Sequence, residues 1–137
     1  MTTLYQSKDG KRKTVLREGV KIPAQVYATE QKGYVYLIRV ENSANEKLPR
    51  LFHKVGTSTH PARRFLQLAR EYKAERIVVL WISPQYAEST YRRLEWHIKD
   101  VVSAMEGSTM IPLDRFVLPN NVDEISFKVR KEYTVVA

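Results

Sequence analysis

The sequence predicts an α/β (α+β) domain in which a small antiparallel three-stranded sheet is flanked by helices. Three observations carry this expectation. Short β-branched and aromatic runs lie at 34–40, 51–56 and 76–82, bounded by polar or turn-forming residues. Apolar residues recur at intervals of three and four over 62–72 and again over 85–105. The order strand, strand, helix, strand, helix joins the first two strands by a polar loop, which favours an antiparallel pair.

Each element has its own justification. Residues 1–32 form a basic N-terminal extension, where polar residues alternate with the short apolar pieces Val15-Leu16, Ile22 and Val26-Tyr27. Asp9-Gly10 is a turn signal within it, consistent with a short hairpin or an arm. The core, 33–118, begins at Gly33 and enters the buried strand Tyr34 to Val40. Glu41 to Pro49 is a polar loop, and Leu51 to Gly56 returns as the second strand. Thr57, Ser58 and Thr59 place a hydroxyl near a helix N-cap, with Pro61 in the first turn. The first helix buries Phe65, Leu68, Ala69 and Tyr72 and turns Arg63, Arg70 and Lys73 outward.

The run Arg76 to Ile82 ends at Ser83-Pro84 and has the length and branching of a buried strand. In the second helix Tyr91, Leu94, Ile98, Val101, Val102 and Met105 share helical spacing, with Gly107 as C-cap. Trp81 and Trp96 lie inside apolar runs, so both are expected in packing rather than as stacking platforms. Phe116 to Leu118 closes the core. The tail, 119–137, has a turn at Pro119-Asn120-Asn121 and a late strand over 125–130.

Composition bounds the function. With 137 residues, 43% hydrophobic and 28% charged, the chain fits one globular domain with a real core. No apolar run is long enough to span a membrane, and no apolar stretch follows the first basic residues as in a secretory signal. Absence of cysteine excludes disulfides, thiolate zinc sites and cysteine nucleophiles, and it is compatible with a cytoplasmic location. The formal charge is +8, and the whole excess lies in residues 1–73. Such an excess points to a polyanionic partner, with Lys11, Arg12, Lys13, Arg63, Arg70 and Lys73 as the expected nucleic-acid-binding residues. A Gly-rich phosphate loop, a nucleophile elbow and zinc-ligand spacing of His53, His60 and His97 are all missing.

What remains is a constellation: Val35-Tyr36 on one strand, Lys54-Val55-Gly56 closing the next, then Thr57, Pro61, Arg64 and a helical Glu95. This order resembles the GIY-YIG nuclease superfamily, closest to the branch in which lysine replaces the second tyrosine and KIG-x-T precedes P-x-x-R. The matching motifs run from Gly33 to Lys99, about half the chain. Leu94-Glu95 with Ile98-Lys99 is similar to the family's L-E-x-x-(L)-I-K helix, and Asp114-Arg115-Phe116 to its E-W-F element. There are departures. Tyr34 stands at the first glycine of GIY, beside Gly33, and Leu68 stands where many members carry His, Tyr or Lys. His60 or Tyr72 are the side chains able to substitute there.

The resemblance implies a free-standing, metal-dependent DNA endonuclease. It implies Tyr36 as the base, Arg64 on the phosphoryl oxygens, and Glu95 holding Mg²⁺ or Mn²⁺. Physical chemistry accommodates each role. A tyrosine acts as a base only where neighbours favour the phenolate, and Lys54 on the adjacent strand is the expected neighbour. A guanidinium fork matches two phosphate oxygens, with Arg63 the alternative to Arg64. A single carboxylate suits Mg²⁺, which keeps several waters. His60 joins the site as a stand-in for the side chain missing at Leu68. The plain structural alternative pairs Glu95 with Arg92 or Lys99 along the helix. The alternative function is a non-catalytic nucleic-acid-binding or protein-interaction module on the same fold. Expected partners are DNA and no membrane, with a monomer or homodimer in the cytoplasm (the host's, if the gene belongs to a phage or mobile element).

Overall fold

The computed structural model describes residues 2–6, 8–20, 32–105, 107–111 and 115–117. In chain order the elements are β1 (Thr2–Gln6), β2 (Lys13–Leu16), β3 (Lys32–Ser43), β4 (Leu51–Ser58), α1 (Pro61–Glu71) and β5 (Ala74–Ile82). They continue with β6 (Tyr86–Ala87), α2 (Glu88–Ser103), β7 (Thr109–Ile111) and β8 (Arg115–Val117). The strands form one sheet in the order β1-β2-β5-β3-β4-β8-β7, with β6 paired to the start of β3. The expected β3, β4 and β5 form its antiparallel centre.

The sheet is wider than three strands. The residues expected as an arm or hairpin form the hairpin β1–β2, and β2 pairs parallel to β5, matching Val15 to Val78 and Leu16 to Val79. Val15 and Leu16 are buried there, so this piece of the extension completes the core. A strand of four residues that opens with Lys13 and Thr14 has too little apolar pattern to announce that only Lys13 stays exposed. At the other edge β8 pairs with β4 and β7 with β8. Both are short. The whole tail, 119–137, with its expected turn at 119–121 and late strand over 125–130, lies outside the described residues.

Alternation along β3 divides the core into two faces. Val35 and Leu37 pack with Val55, Val78 and Leu80 beneath Tyr91, Leu94, Ile98 and Val102 of α2. Tyr34, Tyr36, Ile38 and Val40 pack with Phe52, Ile77 and Val79 beneath Phe65, Leu68 and Ala69 of α1. The register between β3 and β5 slips by one residue between Leu37 and Ile38. That bulge leaves both Leu80 and Trp81 in the cluster under α2, although they are consecutive.

The helix ends differ from expectation in detail. His60 is the N-cap of α1 without a side-chain cap bond, and Pro61 opens the helix. The hydroxyl expected at the cap belongs to Ser58, which accepts from the His60 N–H at 3.0 Å. The chain leaves α1 through Lys73 at φ 50°, a left-handed conformation usually given to glycine. α2 begins at Glu88 because Tyr86 and Ala87 pair with Gly33 and Lys32, and it closes at Ala104, ahead of Gly107. Among the described residues no helix is long and apolar enough to cross a membrane.

Candidate active site

Tyr36 lies in β3 opposite Gly56 of β4 on one side and Ile82 of β5 on the other. Directly opposed residues share a face, so the tyrosine ring lies over the glycine. A Cβ built on Gly56 would meet the Tyr36 hydroxyl and sit 2.6 Å from Cζ and 3.0 Å from Cε1. The two motifs, one on each strand, are therefore a single cross-strand contact: the glycine makes room for the phenol. The ring is 1% exposed and meets Phe65 edge-on, with centroids 5.2 Å apart.

Phe65 belongs to the first turns of α1, and that packing brings its neighbour Arg64 to the phenol. Arg64 hydrogen-bonds the Tyr36 hydroxyl and acts on it by charge. Its Nη1 also reaches Gln67 Oε1 at 3.4 Å, one turn along the helix. Between the two candidate arginines, Arg64 is the half-buried one beside Tyr36, and Arg63 is exposed.

Glu95 arrives from α2 on the other face of the sheet. It is buried, and its negative charge acts on the same phenol. Leu94 and Ile98, both in the core, anchor this stretch of helix and leave Glu95 at the margin of the packed face. β3, α1 and α2 thus bring Tyr36, Arg64 and Glu95 to one end of the sheet.

The electrostatics depart from the expected arrangement. Burial above all, opposed by the charge and hydrogen bond of Arg64 and assisted by Tyr72 and Glu95, leaves the Tyr36 pKa pushed up to about 12. The sequence points to Lys54 as the lowering influence, strong enough to bring the phenol toward neutral pH; Arg64 exerts that influence instead, and desolvation outweighs it. Lys54 is buried opposite Ile38, diagonal to Tyr36 on the same face. His60 is exposed at the helix cap. Leu68 is fully buried core, while Tyr72, at the far end of α1, packs edge-on against Phe52 at 5.0 Å.

Glu95 also has a cationic neighbour of its own. Lys99 Nζ lies 3.5 Å from Glu95 Oε2, with side chains only 15% and 12% exposed. One of the two structural pairings foreseen for Glu95 is therefore present, and Arg92 pairs instead with Glu88 at 3.3 Å. Among the described residues no group of three or more His, Cys, Asp or Glu gathers into a metal site. The donor that the resemblance implies for a divalent ion is the buried carboxylate of Glu95. That fits an ion such as Mg²⁺, which takes one or two carboxylates with water and substrate oxygens, provided Lys99 yields its place.

The expected nucleic-acid-binding residues divide between two ends of the sheet. Arg63 is exposed next to Arg64 in the first turn of α1. Lys11, Arg12 and Lys73 line a cleft of about 680 Å³ at the other end, together with Arg50, Asn42, Asn45, Glu46 and Glu75. Lys13 and Lys11 line a smaller neighbour of about 270 Å³ beside Arg76 and Glu41, and Arg70 is exposed in the last turn of α1. The stretch of β3 from Tyr36 to Ser43 separates the ends, or ~23 Å at ~3.3 Å per residue.

Two residues are not singled out by the sequence. Arg50, in the loop before β4, joins the cleft. Trp96, expected in packing, is 65% exposed, whereas Trp81 is buried as expected. The signal was present: Tyr91, Leu94, Ile98 and Val102 define the buried stripe of α2, and position 96 is off it. Comparison of the chain with family models, with curated proteins and with solved structures returns no match.

Proposed function

We propose that this protein is a GIY-YIG-type endonuclease that hydrolyses phosphodiester bonds in DNA. The observation that carries the reading is that Arg64 of α1 and Glu95 of α2 both act by charge on the Tyr36 phenol of β3, Arg64 also by a side-chain hydrogen bond. A tyrosine, an arginine and a carboxylate supply the three things such a hydrolysis needs.

Arg64 offers a planar fork to the non-bridging oxygens of the scissile phosphate, and its attachment to Tyr36 fixes where the phosphorus lies relative to the phenol. Tyr36 takes the proton of the attacking water. At neutral pH the resting phenol holds its own proton, so the base form grows about tenfold per pH unit below a pKa of about 12. Neutralising the charge of Glu95 removes one of the influences that raise that pKa. A divalent cation, Mg²⁺ or Mn²⁺, held by Glu95 would supply Lewis-acid stabilisation to the leaving 3′-oxygen. Lys99, released from Glu95, has the DNA phosphates as its alternative partner.

Plasmid nicking tests the reading. Wild-type protein with Mg²⁺ should convert supercoiled DNA to open circles, and Tyr36→Phe should slow this about 10²- to 10⁴-fold, the usual size of a general-base contribution. Cleavage by Tyr36→Phe within about threefold of wild type removes the phenol from the chemistry. The second reading, a DNA-binding module without catalysis, is favoured by the Glu95–Lys99 ion pair, which already neutralises the carboxylate. It requires that DNA bind with no cleavage in Mg²⁺ or Mn²⁺.

A further inference from the structure

Trp96 presents most of its indole to solvent at 65% exposure, on a helix whose apolar stripe is otherwise buried. Around it on the helix surface, at three and four positions, are Arg92, Arg93, Lys99 and Asp100. Arg92 and Arg93 are exposed. The Lys99 ammonium is 5.1 Å from the indole centroid and 3.5 Å from Glu95 Oε2. One cation thus links the exposed ring to the carboxylate of the candidate site. Those two distances together keep ring and carboxylate within the span of about three stacked nucleotides at ~3.4 Å each.

We propose that Trp96 is a stacking platform for an unpaired base, so that the preferred substrate is DNA with single-stranded character beside the reacting phosphate. An indole face binds any base by stacking, and arginines and lysines around it hold the adjoining phosphates. The bases of an intact duplex have their faces already occupied by one another. A fully paired duplex would meet this patch through its phosphates alone and gain nothing from the ring. Of the cations around the ring, Arg92 is paired with Glu88 and Lys99 with Glu95, so both can exchange a carboxylate for a strand phosphate, while Arg93 is exposed beside them. The inference rests on the endonuclease reading for the position of the reacting phosphate.

The test is intrinsic tryptophan fluorescence of the full chain in EDTA, titrated with oligo(dT) and, separately, with a blunt duplex of equal length. Trp81 is 4% exposed, so a quench on binding reports Trp96. The expected result is strong quenching by oligo(dT) and little by the duplex. Trp96→Ala should weaken oligo(dT) binding, followed by anisotropy of a labelled strand, about 5- to 150-fold and duplex binding less than twofold. Trp96→Phe, which keeps an aromatic face, should restore most of the loss. Unchanged emission with saturating oligo(dT), or equal weakening of both DNAs by Trp96→Ala, overturns the proposal. Binding in EDTA is read apart from cleavage in Mg²⁺, so the two readings fail separately. Wild-type nicking of blunt duplex without an oligo(dT) quench sinks the platform and leaves the nuclease. A quench abolished in Trp96→Ala, without cleavage of any DNA in Mg²⁺ or Mn²⁺, sinks the nuclease and leaves the platform.

Discussion

Gly56→Ala is the substitution for which the structure gives the sharpest expectation. In an ordinary strand the change stabilises by about 0.4–1 kcal/mol, since alanine loses less backbone freedom on folding. Here the new methyl lands on Tyr36, 2.6 Å from Cζ and 3.0 Å from Cε1. Contacts that short force something to move. The phenol has little room to retreat: it is 1% exposed and its ring meets Phe65 edge-on at 5.2 Å. Overpacking of this kind costs about 1–3 kcal/mol, so the sign of the substitution is reversed. For a domain of this size that is a fall in Tm of roughly 3–12 °C. Activity should fall further than stability does, because the displaced group is the hydroxyl held by Arg64.

A double-mutant cycle isolates the cause. In a Tyr36→Val background the added methyl enters vacated space, and the penalty of Gly56→Ala should shrink by about 1 kcal/mol or more. Urea unfolding at 25 °C of the four proteins measures that coupling, with equal m-values as the check that the unfolded states match. A Gly56→Ala protein as stable as wild type, or an equal cost in both backgrounds, refutes the claim that Tyr36 dictates the glycine.

The remaining expectations concern charge. Glu95→Gln keeps the side chain's shape, and on the nuclease reading it abolishes Mg²⁺-dependent nicking while DNA affinity holds or rises slightly; full activity in this variant excludes Glu95 as the ion's ligand. The cleavage rate should climb about tenfold per pH unit through the neutral and mildly alkaline range, without a plateau near pH 7, because the Tyr36 pKa is pushed up to about 12. Stability should change in the opposite sense. The unfolded phenol ionises near 10 and the folded one near 12, so the unfolded state loses its proton first and folding weakens between those values, by up to about 3 kcal/mol. Chemical denaturation at pH 9 and pH 11.5 reads the difference, which should diminish in Tyr36→Phe. Replacing Lys11, Arg12 and Lys73 by Gln together should reduce the salt dependence of duplex binding by about 0.9 in slope for each phosphate no longer neutralised. An unchanged slope removes the far cleft from the DNA path; if the cleft is on it, duplexes extending fewer than about seven base pairs past the cut should bind more weakly.

The centre of the fold was legible because β3, β4, β5 and the two helices each carry a strong period and a clear boundary. The edges were not. β2 is four residues long and begins at Lys13, so nothing in its own pattern announces that Val15 and Leu16 join the core against β5. That partnership is parallel and remote in sequence, and only the tertiary pairing supplies the missing apolar face. One consequence changes how the basic extension is to be tested. Deleting it to probe DNA binding would strip β5 of a neighbour and expose Val15 and Leu16's share of the core, so charge substitution is the cleaner perturbation.

At the site, the residue types were legible and the balance of forces was not. Tyr36, Arg64 and Glu95 were singled out by the resemblance of their motifs to a nuclease family, yet whether a tyrosine between strands ionises depends on how much water reaches it. Lys54 looked like the cation that would favour the phenolate, because an adjacent strand places it close. The alternation that turns Tyr36 onto the α1 face also buries it beneath Phe65, and it brings Arg64 rather than Lys54 into hydrogen-bonding contact. Desolvation then exceeds the gain from one guanidinium. Trp96 shows the converse error: flanked by apolar residues in sequence, it faces solvent because the stripe of α2 passes through 91, 94, 98 and 102. In both cases the neighbours along the chain were a poor guide to the neighbours in space, and the period of the element was the better one. The same logic accounts for Gly56, whose missing side chain is explained by nothing within β4 and wholly by the ring that crosses it from β3.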